Sequence, residues 1–238
     1  MNQRERAQHV IRELARCYTS DFRANPGTAL AKVTVETEDP FKVLISTILS
    51  QRTKDERTEE ASDRLFASFD DPKSLSNAPL DVVTDLIRPA GFYRQKARKI
   101  REVSRVLLER HGGLVPDTYD ELLELPQVGP KTANCVLVYG FGKPAIPVDV
   151  HVAVVSRRLG LVPSDASEAV VERHLRRIVP RDQWLQLNEF FVRFGKDVCR
   201  TAAPRCAICP FAAFCPYFRQ ARRRVKGPLP ASSPSSRG

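Results

Sequence analysis

The sequence predicts an all-α protein that is built from many short helices. In most segments apolar residues recur every three or four positions, whereas the alternation of apolar and polar residues that marks a strand is hard to find. Turn-forming residues interrupt this pattern at short intervals, as at Asp70-Asp71-Pro72 and Val162-Pro163-Ser164. No repeat of fixed period is present, which argues against a solenoid.

Four helices have the clearest signals. The first begins at Asp39-Pro40, where the aspartate is an expected N-cap and the proline suits the first turn. The second ends near His111-Gly112, the third follows Pro130, and the fourth precedes a group of cysteines near the C-terminus. In chain order, their predicted inner faces are Phe41, Leu44, Ile45, Ile48 and Leu49; Ala97, Ile100, Ser104, Leu107 and Leu108; Ala133, Val136, Leu137 and Gly140; and Trp184, Leu187, Phe191 and Phe194.

Composition is typical of a soluble globular protein. The 238 residues are 42% hydrophobic and 28% charged, and they suit one large domain or two small ones. No apolar run is long enough to span a bilayer, and the first ten residues are polar and charged. We therefore expect a cytoplasmic protein with no secretion signal and no membrane partner.

The formal net charge of +10 is unevenly distributed. Six of the ten excess charges lie in residues 219–238, which hold no acidic residue, so the preceding 218 residues carry the remaining four. A basic balance suits a polyanionic partner, because cations that contact phosphates release counterions. An incidental basic tail on a soluble protein is the alternative. Residues 221–238 are rich in proline, serine and arginine and should form a disordered tail.

The six cysteines are not expected to form a disulfide framework, because no secretion signal is present, and a metal or cluster site in a reducing compartment is the better expectation. Four of them follow the spacing C-x6-C-x2-C-x5-C, and these are Cys199, Cys206, Cys209 and Cys215. Zinc and iron–sulfur clusters both use four thiolates, but zinc sites more often have two C-x2-C pairs and this run has one. Cys17 and Cys135 lie on helical stretches and should be buried.

A short turn joins two predicted helices before Lys131. Residues 117–124 favour one helix and Pro130 begins the next, so the few residues between them must form a hairpin. Gly129 is the residue expected to adopt the positive φ of that turn. The unpaired N–H groups and the dipole at the start of the second helix favour an anion, and a DNA phosphate is a natural ligand. A plain helix–helix turn is the alternative.

Two side chains after this turn are candidates for chemistry. Lys131 should be the second residue of the new helix, where the positive helix end is an unfavourable place for an ammonium ion, and this makes it a candidate nucleophile. It can instead be a phosphate contact or a solvated lysine. Asp149 follows Pro147-Val148 and precedes an apolar helical stretch, so it is an expected N-cap that can also act electrostatically. His151 suits a packed or capping position.

Taken together, three ordered motifs resemble the endonuclease III family, which are DNA glycosylases of the helix-hairpin-helix superfamily. The resemblance extends from about Phe41 to Cys215 and includes Gly91-Phe92-Tyr93. The motifs are Leu125-Pro126-x-Val128-Gly129-x-Lys131-Thr132-Ala133-Asn134, then Val148-Asp149-x-His151-Val152, then the four cysteines.

The resemblance implies two helical domains on either side of a DNA-binding cleft. Residues 34–143 would form a helical bundle with the helix-hairpin-helix motif, residues 1–33 and 144–220 the iron–sulfur domain, and residues 221–238 the basic tail. Lys131 corresponds to the family's nucleophile and Asp149 to its essential carboxylate. The four cysteines correspond to the ligands of a [4Fe-4S] cluster, which would fix a loop bearing Arg200 and Arg205 against phosphate.

The implied function is base excision repair by a bifunctional DNA glycosylase and AP lyase that removes oxidised pyrimidines. Lys131 would form a Schiff base with the sugar, and β-elimination would then cut the strand. The partner would be duplex DNA containing damaged bases or abasic sites, bound by a monomer associated with the nucleoid. The wedge candidates are Gln51 or Arg52, and Phe92. The full set of expected DNA-binding residues is Gln51, Arg52, Phe92, Tyr93, Gln127, Val128, Gly129, Lys131, Thr132 and His151.

Three departures from the family pattern leave the lesion range and the opposite-base preference open. Gln127 stands where the family usually has glycine, Arg52 stands where it more often has glutamine, and Val152-Ala153-Val154 lacks an expected arginine. Two alternative functions follow. One is a mismatch-specific glycosylase without a lyase step, against which Lys131 argues. The other is a DNA-binding metal module whose catalytic pair is inert.

Overall fold

The computed structural model describes residues 2–18, 26 and 28–225. All regular secondary structure in this part of the chain is helical, which confirms the predicted all-α class. A π-helix at Val136–Gly140 and 3₁₀ turns at Arg181–Gln183 and Cys206–Ile208 accompany the α-helices. The α-helices are α1 Gln3–Cys17, α2 Ala29–Thr37, α3 Pro40–Ser50, α4 Asp55–Phe66, α5 Pro72–Asn77, α6 Leu80–Leu86, α7 Tyr93–His111, α8 Tyr119–Glu124, α9 Pro130–Cys135, α10 Val150–Arg158, α11 Glu168–Ile178, α12 Trp184–Asp197 and α13 Pro216–Val225.

The local signals that predicted the helix ends act as expected. Asp39 caps α3 by accepting a hydrogen bond from the Phe41 N–H at 2.8 Å. Gly112 ends α7 in the left-handed region at φ +61°, where glycine meets no steric penalty. The aromatic stripe of α12 is buried, with Phe191 and Phe194 at most 1% exposed.

Two hydrophobic cores hold the chain together. The first lies within residues 30–145 and unites α2 to α9 with the π-helix. The second joins α1 to residues 146–215, so the N-terminal helix packs against the C-terminal third of the chain. Leu30 and Ala31 belong to the first core although they precede residue 34. The domain boundaries expected from the family resemblance stay a prediction.

Polar contacts cross from one core to the other. Tyr139 on the π-helix donates a hydrogen bond from its hydroxyl to Asn188 Oδ1 at 2.9 Å, and Thr28 donates from its hydroxyl to Glu189 Oε2 at 3.2 Å. Burial raises the pKa of Tyr139 well above its usual value, so this phenol stays neutral. Such paired buried groups favour one relative position of the two cores.

The chain end is helical further than the sequence predicted. Helix α13 continues to Val225, so residues 221–225, which were expected to begin the disordered tail, are helical. Residues 226–238, the rest of that predicted tail, lie outside the described residues. Within the described ranges, no helix combines the length and the apolar character needed to cross a bilayer.

Candidate active site and cysteine centre

The hairpin between α8 and α9 lies where the sequence predicted it, but its backbone conformation differs from the predicted one. Gln127 adopts the left-handed conformation at φ +66°, whereas Gly129 is extended at φ −100° and ψ 179° and caps α9. The expectation that Gly129 supplies the positive φ is therefore wrong. The turn reverses three residues before α9 begins at Pro130, and the exposed Gln127 occupies that point.

Because the Gln127 side chain makes no hydrogen bond to any other described residue that would depend on its left-handed conformation, we expect Gln127→Gly to stabilise the fold. A left-handed conformation costs a non-glycine residue about 1–2 kcal/mol, and the greater flexibility of glycine in the unfolded chain offsets about 0.5–1 kcal/mol of that gain. The free energy of unfolding should rise by up to about 1.5 kcal/mol, and each kcal/mol should raise Tm by roughly 2–4 °C. Thermal melts would measure the shift. Gln127→Ala keeps the strain and is the control, and a glycine variant that melts no higher than it would contradict the argument.

The backbone at the start of α9 is open to a ligand. Apart from Gly129 and its two chain neighbours, no atom of the described residues lies within 4 Å of the position that a Cβ on Gly129 would occupy. Val128 and Thr132, by contrast, are 7% and 4% exposed. Their side chains anchor the hairpin in the protein, so any contact that they make with DNA must come from backbone atoms. The DNA contacts expected of Val128 and Thr132 stay a prediction.

Lys131 and Asp149 line the same cleft, which lies between the two cores and has a volume of about 510 Å³. Lys131 is the second residue of α9, as predicted, and its side chain is exposed. Asp149 caps α10, and its Oδ1 accepts a hydrogen bond from the Val152 N–H at 2.8 Å. The capping interpretation is thus confirmed, and the same carboxylate also faces the cleft.

The charges of Lys131 and Asp149 both influence Cys135, which lines the same cleft. Burial raises the pKa of the Cys135 thiol to about 11, the Lys131 charge lowers that pKa and the Asp149 charge raises it. Both charges therefore act on one sulfur, which stays a protonated thiol at neutral pH. Cys135 is buried, as the sequence predicted. Cys17 is exposed at the end of α1, so the prediction that it is buried is wrong.

His151 also lines the cleft and packs tightly against α12. A Cβ on Gly195 would lie 2.6 Å from His151 Nδ1, so the glycine makes room for the imidazole. Among the described residues, this buried nitrogen has no hydrogen-bond partner. The packed interpretation of His151 agrees with this contact, and its role in DNA binding stays a prediction.

The four clustered cysteines line one cavity below the end of α10. All four are free thiols, and burial raises the pKa of Cys209 to about 11. Within the described chain, no three metal-binding side chains are placed to hold one ion. Four cysteines that line one cavity are a possible ligand set for a metal centre, and four thiolates suit both zinc and an iron–sulfur cluster.

Arg158 braces the same loop, and the sequence analysis missed it. Its guanidinium donates hydrogen bonds to the carbonyl oxygens of Cys199, Arg200 and Thr201 at 3.2, 2.7 and 2.7 Å. It also lies 4.5 Å from the centre of the Tyr217 ring. Only its position in the last turn of α10, where a cation is favourable, could have pointed to it.

Comparison with known proteins decides the family. The profile described as HhH-GPD superfamily base excision DNA repair protein matches residues 45–181, more than half of the chain. A protein named Endonuclease III from Thermotoga maritima is 45% identical over 218 residues, which cover 92% of this chain and 96% of that relative. The chain belongs to the endonuclease III family.

Other members of the endonuclease III family agree with this assignment. The Endonuclease III of Bacillus subtilis is 37% identical over 188 residues, which cover 79% of this chain and 84% of that protein. A solved structure of a trapped Endonuclease III–DNA covalent intermediate, an estranged-adenine complex, matches with a TM-score of 0.84 and 33% identity, covering 94% of this chain and 100% of that one. The predicted family, the helix-hairpin-helix fold and the prediction of a base excision DNA repair enzyme are confirmed.

The wedge candidates of this endonuclease III family member lie on two adjacent loops. Arg52 and Phe92 both have positive φ, at +52° and +58°, and the guanidinium carbon lies 5.7 Å from the ring centre. Phe92 is 56% exposed, which rules out a place in the core. Gln51 is half-buried, and its Nε2 donates to the Thr132 hydroxyl at 3.4 Å, while Tyr93 packs against the first core. Strain of this kind is often found at functional sites.

Proposed function

We propose that this chain is a bifunctional DNA glycosylase and AP lyase of base excision repair that removes oxidised pyrimidines from duplex DNA. The observation that carries the proposal is the cleft between the two cores, which Lys131 and Asp149 both line. An exposed primary amine and a helix-capping carboxylate that line one cleft are the pair that a nucleophilic attack on a sugar requires.

Duplex DNA would bind along this cleft. The open backbone at Gly129 and the start of α9 would hold a phosphate, because N–H groups in the first turn of a helix have no partner within it. The excess of basic residues over acidic ones, 38 against 28, favours the same polyanion. A damaged base must leave the stack before any side chain can reach its sugar. Arg52 and Phe92 would fill the space that it leaves.

The proposed chemistry uses the Lys131 amine in both of its steps, which are removal of the base and cutting of the strand. Lys131 Nζ would attack C1′, the bond between C1′ and the base would break, and the base would leave with the bonding electron pair and take up a proton. Loss of a proton from the amine and opening of the sugar would give an iminium. Because this cation makes the 2′ proton acidic, its removal would expel the 3′ phosphate and cut the strand. Asp149 would stabilise the positive charge that develops on the sugar and help to deprotonate the amine.

Cys199, Cys206, Cys209 and Cys215 would hold a [4Fe-4S] cluster. The proposal is supported by their free thiols, which line one cavity and number the four ligands that such a cluster takes. A bound cluster would supply a rigid crosslink that fixes the loop bearing Arg200 and Arg205, both of which are exposed. Iron analysis of the purified protein distinguishes this assignment from zinc.

Incision assays on a panel of duplexes test the proposal. The panel contains thymine glycol, another oxidised pyrimidine, an abasic site, and G·T and A·G mismatches. We expect strand cutting at the oxidised bases and at the abasic site, together with a borohydride-trapped covalent complex. Cleavage of mismatches alone would favour the mismatch glycosylase, and salt-sensitive binding without any cutting would favour the inert DNA-binding module.

A further inference from the structure

Lys96 is a buried cation that the proposed chemistry does not use. It lies in the first turn of α7 and is 3% exposed. Its Nζ donates three hydrogen bonds, to the carbonyl oxygens of Leu49 and Gln51 at 2.6 Å each and to the Thr53 hydroxyl at 2.8 Å. The lysine therefore joins α7 to the end of α3 and to the loop that follows it.

These three contacts specify the charged form of the amine. An ammonium group has three donors and no acceptor, whereas a neutral amine has only two donors. Loss of the proton would leave one of the three oxygen atoms without its donor. Burial, with a smaller contribution from the nearby Lys99 charge, lowers the pKa of Lys96 to about 8. The proton is therefore held at neutral pH and released in the mildly alkaline range.

The same contacts connect the two loops that carry Arg52 and Phe92. The Thr53 hydroxyl, which accepts from Lys96, also accepts a hydrogen bond from the Gly91 N–H at 3.1 Å. A Cβ on Gly91 would lie 2.7 Å from the Arg52 carbonyl oxygen, so only glycine allows this approach of the backbones. Arg52 and Phe92 each occupy the left-handed region beside these contacts. Lys96 thus acts at the junction of two strained loops.

We propose that Lys96 is a positioning residue whose ammonium group holds Arg52 and Phe92 together so that the pair can enter the DNA stack. The inference rests on the proposed function, because it assigns the wedge role to that pair. Lys96 is not among the residues that line the cleft, and it reaches that lining only through the Thr53 hydroxyl. Its contribution should therefore be to the extrusion of the base and not to the sugar chemistry.

The stability effect of the proton supports this role. Because the pKa of Lys96 is lower in the folded protein than in the unfolded chain, the unfolded chain binds the proton more tightly. Below the pKa that Lys96 has in the folded protein, its protonation therefore opposes folding. The free energy of unfolding rises as the pH increases from that pKa to the pKa of the unfolded chain. At neutral pH the proton therefore adds no stability through its titration, and it contributes to the loop geometry through the three hydrogen bonds.

The decisive experiment measures insertion directly. A duplex carries 2-aminopurine opposite a tetrahydrofuran abasic analogue, whose sugar cannot react with Lys131, and the native protein is compared with Lys96→Met, Lys96→Arg and Lys99→Met. Lys99 lies one turn further along α7, so Lys99→Met removes a nearby charge and leaves the hydrogen bonds to the loop carbonyls in place. We expect native protein and Lys99→Met to unstack the probe and raise its fluorescence, and Lys96→Met to lose about four-fifths of that change because the wedge is no longer held.

Activity on two substrates separates positioning from a general loss of structure. Lys96→Met should remove thymine glycol at least about tenfold more slowly while cutting a preformed abasic site within about threefold of the native rate, since extrusion costs most for a paired base. Equal losses on both substrates, or native fluorescence in Lys96→Met, would overturn the proposal. If the native protein raises the probe fluorescence but incises no damaged duplex, the proposed function fails while the positioning role stands.

A pH series keeps the test decisive where Lys96→Met does not fold. The native fluorescence change should fall between about pH 7 and pH 9, as Lys96 loses its proton, whereas Lys96→Arg stays charged and should give a flat profile. Lys96 lines a groove between the two loops that carry Arg52 and Phe92. The other charged side chains that line this groove are Arg52 and Lys99, and no carboxylate of the described residues lines it. Lys99→Met should keep a falling profile. A falling profile in Lys96→Arg would assign the titration elsewhere and reject Lys96.

Discussion

Lys131→Ala is expected to abolish both strand cutting and borohydride trapping, with a loss of at least about 10³-fold in the rate of incision. The amine is the only group that the proposed chemistry uses to form the bond to C1′, so no later step can proceed without it. Stability should change by less than about 0.5 kcal/mol, because the side chain is exposed near the start of a helix. Single-turnover incision of a thymine-glycol duplex and gel analysis of the trapped complex measure the effect.

The cleft supplies a matched control for this experiment. Lys196 also lines it, but its ammonium group is paired with the Asp55 carboxylate at 2.5 Å. Lys196→Ala removes a second amine from the same cleft and should retain trapping. Trapping by Lys131→Ala at the native level, or its loss in Lys196→Ala alone, would show that a different amine attacks the sugar. Peptide mapping of the trapped complex would then locate it.

Asp149→Asn is expected to lower the rate of base removal by about 10²-fold without a change in stability. Asparagine is as good an N-cap as aspartate, so the hydrogen bond from the Val152 N–H at 2.8 Å can be kept. What the substitution removes is the negative charge beside the developing cation on the sugar. Burst kinetics on a thymine-glycol duplex would measure the rate, and circular dichroism melts would measure Tm.

Asp149→Ala separates the two roles of this carboxylate. It should lose the same catalytic charge and also the helix cap, which costs about 1 kcal/mol and should lower Tm by roughly 2–4 °C in a chain of this size. An Asn variant that removes the base at the native rate would leave Asp149 with a capping role only. If Asp149→Asn and Asp149→Ala melt at the same temperature, the side-chain cap contributes nothing to stability.

Local interactions explain why much of the fold was predictable. Asp39 and Asp149 cap helices through backbone N–H groups two and three residues ahead, and Gly112 ends a helix at its own position. Each of these depends on a few consecutive residues, which a sequence displays directly. The order of the hairpin, the aspartate and the cysteines identified the family for a similar reason, because each motif is short.

Some expectations failed where local preference met a tertiary constraint. Glycine is the residue that most readily adopts positive φ, yet the hairpin places Gly129 in an extended conformation and Gln127 in the left-handed region. Cys17 has the same chemistry as Cys135, but one faces outward at a helix end and the other lies in the first core. The direction in which a helix presents a residue depends on what packs against it.

The sequence by itself determined the all-α class, the family and the order of the candidate catalytic and metal-binding groups, because each rests on neighbouring residues. Only the tertiary structure decided that Lys131 and Asp149 share a cleft, that Arg158 braces the cysteine loop, and that Lys96 joins two loops. Lys96 and Leu49 are 47 positions apart, and Arg158 and Arg200 are 42 apart. Contacts over such separations form when helices pack, and no local pattern encodes which side chains then meet.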